Sequence, residues 1–459
     1  MYTPFIRLLL LPFIILGIWS SSAKAQTSRL DGYIAEAFER NQGLKAQQID
    51  LDRALYALKE AQAMYLPTVS LLGSYTKSSG GRTIDVPVGD LINPVYKALN
   101  ELTNSNRYPQ LENQSFLLNP DNFYDAKIRT SLPLINAEIR YNKLIKQQLI
   151  GNQQAAINVY KRTLVKDIKT AYYRYFQALQ GLAAYKSALV FVKENIRENE
   201  SLLRNGTRNR TALLRAQTEQ QKTDASIIQA QQTVDNARSY FNFLLNRPLR
   251  DSIIVEQNAF TVQGVSADTT VGVLHREELN QLRTMQQAYT LDYKLQKSGF
   301  IPKVNTFVDL GSQGFDFKVD DKTRYYLWGV NLQWDIFTGG QRKYRAAQSQ
   351  AKVQAAAAKL DETTQQMNLQ LDQAYNNYRS AKAAYQSAVA QLSFAGKYYN
   401  DQLKAYRAGQ LLYLELVDAQ NQLTGAYLQN ADTQAGLEIA IAELERSQAT
   451  YPINNPNSK

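Results

Sequence analysis

Glu415 and Asp418 are the pair whose spacing invites a chemical reading. Three residues apart in YLELVDAQNQ, they share one face of any helix that runs through them. Paired acids can serve hydrolysis, or can sit without consequence on a solvated face. Little else here could join them. His275 is the only histidine and reads as an incidental helix residue. Cysteine is absent, which removes disulfides, thiolate metal sites and an acylated N-terminal cysteine. No glycine-rich phosphate loop or nucleophile elbow occurs. The four methionines, Met1 included, make no soft-metal relay. With no compact pocket around the acids, the sequence implies neither an enzyme, a cofactor nor a metal.

The acids lie in KAYRAGQLLYLELVDAQNQL, residues 404–423, where Gly409 separates two long proline-free segments. A glycine just past a periodic segment is a helix stop. The stretch has an echo at 201–220, SLLRNGTRNRTALLRAQTEQ. An offset of 203 aligns Gly206 with Gly409, Leu213 with Leu416, Ala216 with Ala419 and Gln217 with Gln420. One long helical hairpin is therefore built twice, with tips at 204–211 and 407–412.

The chain opens MYTPFIRLLLLPFIILGIWSSSAKAQ, with basic Arg7, apolar Leu8–Trp19 and the A-x-A signal Ala23-Lys24-Ala25. Residues 1–25 read as a signal peptide cleaved after Ala25; the apolar run is short for a membrane anchor. Without Arg7 and Lys24, 50 basic residues face 41 acidic ones, about +9, with no block of like charge. Nucleic-acid binding needs a clustered stripe and is not indicated. The one basic cluster is Arg204, Arg208, Arg210 and Arg215 at the first tip, which also fits a solvated helix end.

Five segments follow from the pattern: the leader 1–25, a first repeat 26–247, an irregular connector 248–274, a second repeat 275–447 and a polar tail 448–459. In the first repeat a helix at 28–64 leads into an alternating strand from Pro67 to Thr76. A long loop, 77–122, follows, with a short helix around Pro94–Leu102. A second strand then alternates Ala126, Ile128, Thr130, Leu132 and Leu134 with Lys127, Arg129 and Ser131. In the second repeat a helix at 275–299 precedes a strand carrying Val304, Thr306, Val308 and Leu310 on one face. The last strand alternates Tyr326, Trp328, Val330, Leu332, Trp334 and Ile336 with polar or small residues. Phe300–Val304 matches Tyr65–Val69 at offset 235, whereas Arg342 matches Arg140 at 202, so the first strand-to-strand loop carries 33 extra residues.

The helices repeat a seam. Ile168, Tyr175, Leu182, Leu189, Ile196 and Leu203 recur every seven residues, with Ala171, Ala178, Tyr185 and Val192 three further on. Leu371, Tyr378, Tyr385, Leu392, Tyr399 and Tyr406 repeat this 203 residues later, accompanied by Ala374, Ala381, Ala388 and Ala395. Sustained a/d spacing is a coiled-coil seam. A helix from Glu138 to Leu203 is about 100 Å long at 1.5 Å per residue.

The expected class is mainly α with a small transmembrane β part. Four strands per chain, each apolar on one face, suit a barrel wall but cannot close alone, so several copies must share one barrel. A soluble β-sandwich, a solid fibrous coiled coil and a pore-free periplasmic adaptor or scaffold are the competing readings. Recovery in a soluble fraction would mark the scaffold; recovery in membranes as a multi-copy assembly would mark the barrel.

The leader, the duplicated strand–strand–hairpin plan, the Pro-x-Val strand starts and Gly409…Leu416-Val417-Asp418-Ala419-Gln420 together resemble the TolC family of outer-membrane efflux proteins. The resemblance covers essentially the whole mature chain. It implies a homotrimer in the outer membrane of a Gram-negative bacterium, with a 12-stranded β-barrel, a helical α-barrel across the periplasm and loop 77–122 outside. It implies a periplasmic adaptor and an inner-membrane transporter as partners, in efflux or type I secretion, and leaves the cargo open. It also implies that Glu415 and Asp418 ring the periplasmic mouth, with Tyr406 in its gate. Family members often carry Gly-Thr-Arg at the second tip, the arginine helping to latch the gate. Here that triplet is Gly206-Thr207-Arg208 in the first half, while the second reads Gly409-Gln410-Leu411. Gly206, Thr207, Arg208, Arg210, Gly409, Gln410 and Leu411 are the candidates for docking the adaptor.

Overall fold

The computed structural model describes residues 29–207, 209–256 and 273–453. The leader, Arg208, the connector residues 257–272 and the tail from 454 lie outside them. The described residues fall into two compact units, one drawn from residues 29–43, 161–256 and 371–453, the other from 44–160 and 273–370.

The second of these holds the sheet. Its strands are β1 (Thr68–Thr76), β4 (Phe123–Ile135), β5 (Lys303–Phe315) and β6 (Arg324–Gln333), in the order β1-β4-β5-β6 and antiparallel throughout. The alternation read from sequence fixes the faces. Val69, Thr130, Val308 and Trp328 stand in one row, and Leu71, Ile128, Leu310 and Tyr326 in the next. The other face is polar: Arg129 donates to both carboxylate oxygens of Asp309 at 2.7 Å, and Asp125 accepts from Lys127 (2.6 Å) and the Tyr325 hydroxyl (2.8 Å). Pro133, which cannot donate to a ladder, sits where the β4–β5 register shifts. The apolar face has no cover: Leu71 is 79% exposed and Tyr326 81%.

The stretch 77–122 is more ordered than the loop expected there. It contains β2 (Thr83–Val86) paired with β3 (Gln114–Leu117), and between them α3, Val88–Leu102, longer than the expected helix. The rest of this unit is α2 (Gln42–Ala63), α6 (Glu277–Lys297) and the first parts of α4 (Ala137–Arg204) and α7 (Gln341–Arg407). Asn152 donates to the Gln281 carbonyl, joining α4 to α6, and Ser349 donates to Asp292, joining α6 to α7.

The other unit is wholly helical: α1 (Arg29–Arg40), α5 (Arg210–Leu244), α8 (Tyr413–Gln448) and the later parts of α4 and α7. The single helix expected at 28–64 breaks at Asn41, whose amide donates to the Leu244 carbonyl at 2.8 Å. Tyr33, Tyr172 and Phe241 pack their rings at 5.2–6.4 Å, closing α1 over α4 and α5. At 68 and 67 residues, α4 and α7 are kept continuous by the proline-free heptads. No described helix is long and apolar enough to cross a membrane.

Candidate functional site

Both hairpin tips end their first helix in the same way. Gly206 has φ +69° and Gly409 φ +74°, a left-handed conformation that costs glycine little. The Gly206 and Thr207 amides donate to the Leu203 and Leu202 carbonyls, and those of Gly409 and Gln410 to Tyr406 and Ala405, all at 3.0 Å. This is the Schellman arrangement, which satisfies carbonyls that a helix end would orphan. Gly206, Thr207, Gly409 and Gln410 are exposed, Leu411 is partly buried, and Arg204, Arg210 and Arg215 project into solvent. Arg208 lies outside the described residues.

Beside the second tip a buried core forms. Tyr399, Tyr406, Tyr413, Leu416, Val417, Ala419 and Leu423 pack with Ala216 of α5. The Tyr406 hydroxyl donates to the Asn199 side-chain carbonyl of α4 at 2.9 Å. Asn199 donates in turn to the Asn195 backbone, and Asn195 to Gln420 of α8 at 3.0 Å. Gln420 closes the ladder on the Ala188 carbonyl at 3.4 Å. Each side chain of this ladder is buried and partnered, as polar groups removed from water must be. Arg407 adds an ion pair to Glu198 at 3.7 Å.

Further along, α8 runs antiparallel to α4 through Gln177–Asp432 and Tyr173–Glu438 contacts and the Lys169–Glu445 ion pair. Burial pushes the Glu438 carboxyl up to about 7, against the opposing pull of the Tyr173 hydroxyl and Lys169. Burial likewise pushes the Tyr173 phenol up.

Glu415 and Asp418 occupy the opposite side of α8 from this core, and both are exposed. Glu415 accepts from the Leu412 backbone amide at 3.1 Å, tying it to the start of its own helix, where a negative charge is favoured. Asp418 accepts from Gln422 at 2.6 Å. Among the described residues no cation is within ion-pair distance of either acid. The structure therefore brings these two together on one face and places Tyr406 apart from them, inside the chain's own core. Sequence reading missed Asn199 as its hydrogen-bond partner and Asn195 as the next link of the ladder. Their signal was two asparagines one helical turn apart beside the apolar seam. His275 ends a short 3-10 turn, and no described group of three His, Cys, Asp or Glu side chains could hold a metal.

Residues 273–449 match the family described as outer membrane efflux protein. No curated protein sequence matches the chain. Among solved structures, the efflux-channel fold extends over nearly all of it. The outer-membrane channel OprN superposes with a TM-score of 0.74 at 19% identity, covering 91% of this chain and 89% of OprN. The Campylobacter jejuni CmeC outer membrane channel gives 0.72 at 14%, covering 92% and 85%. The outer membrane protein VceC from Vibrio cholerae gives 0.71 at 15%, covering 92% and 96%. The arrangement expected from sequence, long helices with four antiparallel strands in one sheet, is the one observed.

Proposed function

We propose that three copies of this chain close one 12-stranded barrel in the outer membrane, continued by a helical tube, as the passive exit duct of an efflux or type I secretion assembly. The observation that carries this reading is the sheet's pair of free edges. β1 and β6 are unpaired on their outer sides and run in opposite directions, so β6 of one copy can meet β1 of the next antiparallel. Backbone groups in lipid must all be paired, and four strands fall short of the roughly eight in the smallest such barrels. The exposed apolar rows then face lipid, and the Arg129–Asp309 face lines water.

The leader directs export and is cleaved after Ala25; with no cysteine, the mature start carries no lipid anchor. An inner-membrane transporter supplies the cargo, and a periplasmic adaptor docks on the two tips through Gly206, Thr207, Arg208, Arg210, Gly409, Gln410 and Leu411. Glu415 and Asp418, repeated three times, set six carboxylates around the periplasmic mouth and favour cations there. The Tyr406–Asn199 and Arg407–Glu198 contacts hold α7 against α4, standing in for the arginine latch that Gly409-Gln410-Leu411 lacks. Planar-bilayer recording tests the ring. Glu415→Gln with Asp418→Asn shifts the reversal potential in a salt gradient toward non-selectivity; an unchanged potential removes these acids from the mouth.

A further inference from the structure

The insert between β1 and β4 shows more apolar surface than a solvated loop needs. One face of α3 is held to the chain that follows it. Asn93 exchanges hydrogen bonds with the Leu111 backbone at 2.7 and 2.9 Å, and Asn100 with the Tyr108 backbone at 2.7 and 3.0 Å. The Tyr96 and Tyr108 rings meet at 5.5 Å. The opposite face carries Leu91, Val95, Ala98 and Leu102, with the three large side chains 70%, 56% and 83% exposed.

A lone exposed leucine needs no explanation, but this set does. Its spacing of four, three and four residues is the a/d seam by which a helix packs on like helices. A helix lying on its own domain shows a broader stripe, and here the domain-facing side is already taken by Asn93, Tyr96 and Asn100. The insert also leaves the sheet from β1, one of the two edges that need another copy. The polar pins fix α3 before assembly, so little ordering cost remains for the seam to offset.

Resting on the three-copy reading above, we propose that α3 of each copy packs through Leu91, Val95, Ala98 and Leu102 against α3 of its neighbours. The three helices form a collar at the end of the barrel where the insert lies. This occupant suits the seam better than lipid does, because a flat lipid surface sets no heptad spacing.

The cysteine-free sequence makes the test direct, since each introduced thiol is unique. Val95→Cys and Leu102→Cys, with Lys97→Cys as an exposed off-seam control, are treated with a short bismaleimide in outer-membrane preparations. The seam variants are expected to run as cross-linked dimers on denaturing gels and the control as monomer. Native mass of the same samples in detergent separates the two readings. A native trimer without seam cross-links overturns the collar and leaves the three-copy barrel standing; a native monomer overturns both. A membrane-impermeant maleimide on intact cells identifies the alternative occupant. Full labelling of the seam thiols means bare water, and protection without cross-links means lipid or another protein; either result sinks the collar.

Discussion

The two hairpin tips share a backbone and almost nothing else. Gly206 and Gly409 close α4 and α7 with the same pair of hydrogen bonds and nearly the same φ. Around that common turn the first tip is solvated and basic, with Arg204 and Arg210 exposed. The second is knitted inward by tyrosines and a buried amide ladder, with two unpaired acids on its outer side. The fold needed the turn twice, and the side chains then set the two tips apart: one is solvated, the other packed against its neighbouring helices.

If that division is real, equivalent truncations must differ in cost. Tyr406 is buried and hydrogen-bonded, whereas its repeat counterpart Leu203 is partly exposed. Tyr406→Ala is expected to cost about 3–5 kcal/mol through the cavity it leaves and the stranded Asn199 side-chain carbonyl. Leu203→Ala is expected to cost about 1–2 kcal/mol, because part of its surface already meets water. Loss of helical circular dichroism with denaturant, measured on both variants in one detergent, gives the ratio. Equal losses would mean that the tips are packed alike and that the inward knitting is incidental.

The same contrast shows what was legible in the residues. Heptads, glycine stops and strand alternation lay open, because each follows from a local period of 3.5 or 2 and the duplication displayed every period twice. The Glu415–Asp418 face was equally open, since three residues on a helix fix a shared side. The Tyr406–Asn199 bond was not: its partners stand 207 residues apart, and a heptad tyrosine looks the same whether its hydroxyl meets water or amide. The order within 77–122 was hidden for another reason. Asn93 and Asn100 pin α3 through backbone carbonyls and amides, which leave no mark in composition.

A second contrast lies one hairpin length from the tips. Glu438 and Asp235 are repeat counterparts at the offset of 203, both acidic. Asp235 forms a partly solvated pair with Arg238 at 2.6 Å, while Glu438 is buried against Tyr173. The Glu438 carboxyl, raised from 4.5 to about 7, holds its proton more tightly in the folded than in the unfolded chain. Stability from this group is therefore full below about pH 4.5 and is lost as pH rises toward 7, on the order of 3 kcal/mol. Glu438→Gln should flatten the pH dependence of unfolding across that window. A Glu438→Gln profile parallel to the parent's would place the carboxylate in water.

The smallest expected effect tests the shared part of the comparison. A β-carbon added at Gly206 or Gly409 meets no atom within 4 Å, so neither substitution is opposed by packing. What remains is the left-handed backbone, which costs an ordinary L residue roughly 1–2 kcal/mol. Gly206→Ala and Gly409→Ala should accordingly destabilise by the same amount, even though one turn is solvated and the other adjoins a buried core. Chemical denaturation of the two variants side by side reads the difference. A markedly larger loss at Gly409 would show that the core beside it leans on the turn itself, and the two tips would then differ in backbone mechanics as well as in chemistry.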